Sequence, residues 1–178
     1  MARTLIIGGT GRLGRAVTQC LHQRGDEVFS YGRDFSSLPD RINYVIFCQR
    51  YRGDETDICG EFDASVVLTA KVLHKLRFSD SGDCAAVIVS SVYAISPGPG
   101  PNIGYQLGKA AALALMRYEA ATLGVRCNAV SPWAFTGKHP ALTMEEVVNV
   151  IEFLASPKSS GINQQNIVID KGKRAGMH

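Results

Sequence analysis

Six apolar runs rich in valine and isoleucine recur along this chain, near residues 4–8, 27–31, 43–48, 84–90, 125–130 and 166–170. Amphipathic stretches alternate with them near 12–24, 60–77, 104–123 and 143–155. A strand that is apolar at consecutive positions must be covered on both faces, and strands of that kind alternating with helices give a parallel sheet between two helical layers. The expected fold class is therefore α/β: a doubly wound parallel sheet of Rossmann type in three α/β/α layers. The last helix carries its own start signal, Thr143 as N-cap with Glu145 and Glu146 in the first turn, where the helix dipole favours acidic groups. A single domain is expected over all 178 residues, since a chain of that size buries roughly 70% of its unfolded surface.

One interval is too short for this plan. Between the runs at 27–31 and 43–48 there is room for only about a dozen residues, centred on Phe35-Ser36-Ser37-Leu38-Pro39, too few for a further strand and a crossover helix. One edge strand is expected to be missing. An edge can be deleted without opening the core, whereas a central strand cannot.

Composition narrows the function classes. A net charge of +3 with scattered basic residues gives no footprint for nucleic acid, and the only basic run, Lys171-Gly172-Lys173-Arg174, reads as a solvated terminus. The five cysteines are far apart with no Cys-x-x-Cys, as expected of reduced, mostly buried thiols. None of the four histidines stands at a ligand spacing from another or from a cysteine, so no metal is expected. The first strand begins almost at Met1 and no apolar stretch reaches membrane-spanning length. The expectation is a cytoplasmic protein that engages neither nucleic acid nor membrane.

The first apolar run leads into Gly8-Gly9-Thr10-Gly11-Arg12-Leu13-Gly14, which opens the first helix. Glycines at a strand-to-helix turn let the backbone approach a pyrophosphate, and the helix N-terminus attracts its charge. Gly8, Thr10, Gly11, Arg12, Leu13 and Gly14 are thus candidate dinucleotide-binding residues. The second strand ends in Tyr31-Gly32-Arg33-Asp34, where an arginine accommodates a 2′-phosphate and an acid binds ribose hydroxyls. Arg33, helped by Arg12, points to NADP; Asp34 beside it keeps NAD possible.

Tyr105 and Lys109 stand four residues apart on a helix, hence on one face. A free tyrosine has a pKa near 10, so a phenol exchanging protons near neutrality needs about 3 units from a nearby cation, and Lys109 is the candidate.

Read in order, the glycine loop, Ser90-Ser91-Val92, Tyr105-x-x-x-Lys109, Asn128-Ala129-Val130-Ser131-Pro132 and Gln165-Asn166-Ile167-Val168-Ile169-Asp170-x-Gly172 resemble the short-chain dehydrogenase/reductases over nearly the whole chain. Gly8, Gly11 and Gly14 follow the spacing of the family's extended and atypical branches. The resemblance implies hydride transfer between a nicotinamide cofactor and a carbonyl or alcohol substrate. Ser91 would bind the carbonyl, with Ser90 as the alternative serine. Tyr105 would exchange its proton, and Lys109 would hold the ribose and lower the phenol pKa. It also implies a cofactor wall containing Cys48, Tyr105, Lys109, Pro132 and Phe135. In the family, helices corresponding to 60–77 and 104–123 pair across a twofold axis, implying a homodimer or homotetramer. The small residues of 104–123, among them Gly108 and Ala114, would let another helix approach closely.

Four features depart from the pattern. Cys48-Gln49-Arg50-Tyr51 replaces the usual Asn-Asn-Ala-Gly, Ser65 stands near a usual helix asparagine, and Trp133 replaces the glycine after Pro132. After Thr136 the short Gly137-Lys138-His139-Pro140-Ala141-Leu142 replaces a long substrate-covering segment. These trimmed surroundings leave a second expectation, an auxiliary subunit of weak or no activity that assembles with an active partner.

Overall fold

The computed structural model describes residues 1–32, 37–80, 82–135 and 142–172. In chain order the elements are β1 (Arg3–Ile7), α1 (Arg12–Arg24), β2 (Glu27–Tyr31), β3 (Tyr44–Phe47), α2 (Ile58–Phe62), α3 (Leu68–Lys75), β4 (Ala85–Val89), α4 (Ile103–Thr122), β5 (Arg126–Pro132), α5 (Met144–Leu154) and β6 (Asn166–Ile169). The strands form one sheet in the order β2-β1-β3-β4-β5-β6, every neighbouring pair parallel. Leu5 in β1, next to the edge strand, pairs with Phe29 of β2 on one side and Val45 of β3 on the other.

Two cores lie on the two faces, as the continuously apolar strands require. Leu5, Ile7, Val45, Phe47, Ala86 and Ile88 pack with α3 and α4 through Val72, Leu73, Leu113 and Met116. Their alternates Ile6, Tyr44, Ile46, Val87 and Val89 pack with α1 and α5 through Val17, Leu21, Val147 and Ile151. All four residues of β3 are buried, which suits a central strand, whereas no residue of β2 or β6 is, which suits the two edges. No strand lies beyond β2 among the described residues, in keeping with the missing edge strand. Thr143 closes a full capping box with Glu146 at the start of α5.

The helix expected over 60–77 starts earlier and is not uniform. Asp57 caps it by accepting from the Gly60 N–H at 2.8 Å, and Asp63–Val67 is wound as a π-turn between α2 and α3. Such a bulge inserts one residue into a turn and commonly marks a functional segment. Among the described residues no helix is long and apolar enough to cross a membrane.

The strand order turns at β1. The chain goes from β1 outward to β2, then back past β1 to β3, so the loops leaving β1 and β3 diverge and open a crevice at the carboxyl ends of the strands. Open α/β sheets bind their ligands in such crevices.

Candidate active site

The glycine loop occupies one wall of that crevice. The N–H groups of Gly8 and Gly9 both donate to the Tyr31 carbonyl, at 2.8 and 3.1 Å, tying the loop to the end of β2. Gly8 has φ +81°, and a Cβ there would fall 2.6 Å from the Gln49 nitrogen in the loop after β3. At Gly14 a Cβ would meet the Gly8 carbonyl oxygen and lie 2.6 Å from Gly9 Cα, so only glycine lets α1 start this close to β1. Gly11 is the N-cap of α1 and supplies no side chain to its free N–H groups, and the first turn holds no acid. An anion would find this helix end open and electropositive. Thr10 and Arg12 are exposed beside it, while the Leu13 side chain is buried in the core, leaving only its backbone to a ligand. Arg33 and the segment Thr136–Ala141 lie outside the described residues.

The catalytic candidates come from the ends of β4 and the start of α4. Asn102 caps α4, its side chain accepting from the Tyr105 N–H at 2.8 Å. The Ser91 hydroxyl lies beside the Tyr105 phenol and draws its pKa down. Ser91 also caps a turn by accepting from Tyr93 N–H at 3.3 Å. The neighbouring Ser90 is spoken for, since its hydroxyl donates to the Lys109 carbonyl at 2.9 Å and ties β4 to α4. Ser91, not Ser90, therefore accompanies the phenol. Lys109 is only 5% exposed; its Nζ donates to the Val89 carbonyl at 2.9 Å and lies 5.8 Å from the centre of the Tyr105 ring. The three residues expected to act together meet at one point.

The charge on that point differs from the expectation. Burial pushes the Tyr105 phenol above the usual tyrosine range, and the nearby Ser91 and Arg50 only partly offset this. Burial lowers Lys109 to about 8, against the upward pull of Glu61. An ammonium lowered to about 8 is charged at neutral pH but loses its charge just above it, where an ordinary lysine keeps its own. The closer cation is one that spacing does not reveal: the Arg50 guanidinium sits 5.5 Å from the Tyr105 ring centre, carried there by the loop after β3. Nothing in the local sequence signals it except the replacement of the usual small residue.

Cys48 is held by its N–H to the Ile7 carbonyl at 2.8 Å, and burial raises its thiol to about 12, so it is a neutral wall residue. Pro132 ends β5 paired with Ile169. Phe135 packs on the α1/α5 side of the sheet, while Trp133 stacks on Tyr93 with ring centres 5.7 Å apart, making an aromatic wall beside Ser91. The Gln49 side-chain N–H group donates to the Ala64 carbonyl at 3.2 Å and the Thr69 hydroxyl at 2.8 Å across the π-turn.

No family model matches the chain. It is 25% identical to the 3-oxoacyl-(acyl-carrier-protein) reductase of Rickettsia felis, over 95% of each chain. That alignment runs over 232 residues against the 178 of this chain, so the difference in length falls within it, as segments this chain lacks. Among solved structures, a 3-alpha-hydroxysteroid dehydrogenase of a Pseudomonas species, complexed with NADH, superposes with a TM-score of 0.75 at 20% identity, over 99% of this chain and all of that one. A short-chain dehydrogenase of Leptospira borgpetersenii with bound NAD+ gives 0.73 at 18% identity, over 96% and 92%. In fold the chain is a Rossmann-type α/β protein with Ser91, Tyr105 and Lys109 near one another at the carboxyl edge of its sheet. In these comparisons it resembles the short-chain dehydrogenase/reductases and is shorter than the Rickettsia relative it matches.

Proposed function

We propose that this protein is an oxidoreductase that reduces a carbonyl group with a nicotinamide cofactor, NADPH preferred over NADH. The observation that carries this is buried Lys109 set 5.8 Å from the centre of the Tyr105 ring, with Ser91 beside the phenol, across the crevice from an uncapped helix end. The residues present fit the cofactor: Gly8 and Gly14 admit no side chain, and the α1 N-terminus offers free N–H groups and no acid. Gly8, Thr10, Gly11, Arg12 and the backbone of Leu13 and Gly14 would hold the pyrophosphate, and Cys48, Lys109, Pro132 and Phe135 the nicotinamide side. When bound, the cofactor supplies the hydride. Ser91 orients the carbonyl oxygen, and Tyr105 delivers the proton that this oxygen needs. Burial holds the phenol above its usual range, so it carries the proton that a donor needs at neutral pH. The Rickettsia relative is a reductase of a 3-oxoacyl group, and the class proposed here is the wider one of carbonyl compounds.

Titration with NADPH and NADH, followed by nicotinamide fluorescence, tests the proposal, and saturable binding of either is expected. Binding of neither would instead favour an auxiliary subunit. For cofactor choice, Arg33→Ala removes a charge-assisted contact to the 2′-phosphate and should weaken NADPH by about 1.5–3 kcal/mol while leaving NADH nearly unchanged. Equal losses for both cofactors would rule the assignment out.

We further propose self-association through α2 and α4. Ile58 and Phe62 on α2 are 46% and 42% exposed, and Ile103, Leu107 and Tyr118 on α4 are 57%, 50% and 61% exposed. With exposed Ala114 and Ala121 the last three form a stripe at spacings of three, four and seven, the pattern of a helix face that meets another helix. Some of the small residues expected to serve a partner are already used within the chain. A Cβ at Gly104 would lie 3.0 Å from Ile58 Cα and one at Gly108 3.2 Å from the Glu61 carbonyl, so these glycines let α2 settle on α4. A second copy is the occupant that matches, because a twofold axis makes one apolar stripe answer itself. Ala114→Arg should give smaller particles in light scattering with an unchanged circular dichroism spectrum. A parent protein that is monomeric at micromolar concentration would refute the assembly.

A further inference from the structure

The loop after β3 rides on the glycine loop. A Cβ at Gly8 would fall 2.6 Å from the Gln49 nitrogen, and three residues further along both segments a Cβ at Gly11 would lie 3.6 Å from Nη2 of Arg52. Gly11 is the N-cap of α1, so the exposed Arg52 guanidinium stands beside the free N–H groups of that helix end. This is an unfavourable place for a cation, because the N-terminus of a helix carries positive potential. No acid relieves it. The first turn of α1 holds none, and among the described residues Arg52 forms no ion pair. Of the acids that follow it, Asp54 accepts from the Thr56 N–H and hydroxyl at 2.7 Å, and Asp57 accepts from the Gly60 N–H and the Tyr51 hydroxyl.

The loop is pinned where it carries Arg52. Besides the bond of its hydroxyl to Asp57, the Tyr51 ring fills the space that Cβ atoms at Gly53 and Gly60 would need, 2.1 Å from its Oη and 2.4 Å from its Cζ. At the other end the Cys48 N–H is tied to the Ile7 carbonyl. With Tyr51 clasped at the start of α2, the residues on either side of it reach opposite ends of the crevice. Arg50 reaches the Tyr105 ring, and Arg52 reaches the N-terminus of α1.

We propose that Arg52 is a cofactor-binding residue that holds the pyrophosphate of the nicotinamide dinucleotide against the N-terminus of α1. The inference rests on the nicotinamide cofactor proposed above and adds a contact that neither the glycine loop nor Arg33 supplies. A guanidinium presents paired N–H donors to two phosphate oxygens, and the pyrophosphate brings the negative charge that this helix end and this cation both lack. The pyrophosphate is common to NADPH and NADH. Arg52 therefore sets affinity without choosing between them, whereas Arg33 is assigned only the 2′-phosphate.

Arg52→Gln keeps a polar side chain and removes the charge at an exposed position, so the circular dichroism spectrum should not change. Fluorescence titrations should show NADPH and NADH both bound about tenfold or more weakly, with the ratio of their dissociation constants within about twofold of the parent's. The loss should shrink as salt is raised, because the variant has one charge pair fewer to screen. Arg52→Lys, which keeps the charge without the fork, should fall between the two. A Gln variant that binds both cofactors as the parent does overturns the inference, and so does a loss confined to NADPH, which would put Arg52 on the 2′-phosphate. The parent offers a test that needs no substitution. ADP-ribose, which has the pyrophosphate without the nicotinamide, should slow the reaction of Arg52 with phenylglyoxal, read by peptide mass spectrometry, and an unchanged rate also overturns the inference. A parent that binds neither NADPH nor NADH would sink the cofactor assignment and this inference with it. Intact binding by the parent with an unaffected Gln variant would sink only the part assigned to Arg52.

Discussion

Tyr105→Phe should lose turnover by about 10²–10⁴-fold on any carbonyl compound the parent reduces, while NADPH affinity stays within about twofold. The Tyr105 ring centre lies 5.8 Å from Lys109 Nζ and 5.5 Å from the Arg50 guanidinium, with Ser91 beside the phenol. Removing one oxygen leaves the ring in place between those two cations, so packing changes little. Steady-state kinetics and a fluorescence titration of the same preparation separate the two quantities. Near-normal turnover would show that the proton comes from elsewhere, and a parallel loss of affinity would show that the ring, not the hydroxyl, had been disturbed.

The fold was legible because its signals are local. A run such as Tyr44-Val45-Ile46-Phe47 is apolar at every position, which only a strand covered on both sides tolerates, and in the structure all four are buried. The short interval after Tyr31 likewise announced an absent edge strand. What periodicity did not reveal is the π-turn at Asp63–Val67, since one extra residue in one turn barely disturbs an apolar stripe. At the site, Tyr105 and Lys109 were legible as one helix face, but only topology brings Ser91 to them from the end of β4. The direction of the Tyr105 shift was not legible at all. It is set by how deeply α4 sinks against the sheet, and burial outweighs the neighbouring cations. Arg50 was missed for a related reason: it reaches the phenol's ring from another element, and no spacing within one element encodes that.

Lys109→Met should be as damaging to turnover, by about 10²–10⁴-fold, and should also weaken the cofactor by about 1.5–3 kcal/mol through the lost charge-assisted contact to the ribose. Methionine fills a similar volume without a charge, so the helix keeps its packing. Lys109→Arg should not restore activity, because the guanidinium is broad, planar and permanently charged, while the Nζ it replaces is 5% exposed and directed at a single carbonyl. The pH dependence gives a second signature. With Lys109 lowered to about 8, its ammonium is present below that pH and lost above it, so reduction by the parent should decline as pH rises through 8. Stability moves the other way. The folded group has a lower pKa than the usual 10.5, so between about 8 and 10.5 the unfolded chain binds more protons, and this residue's contribution to stability increases with pH across that window. A fall in activity above pH 8 accompanied by a fall in thermal stability would therefore point to unfolding. A fall in activity with stability held or rising, and no such alkaline limb in the residual activity of Lys109→Met, identifies the titrating group as Lys109.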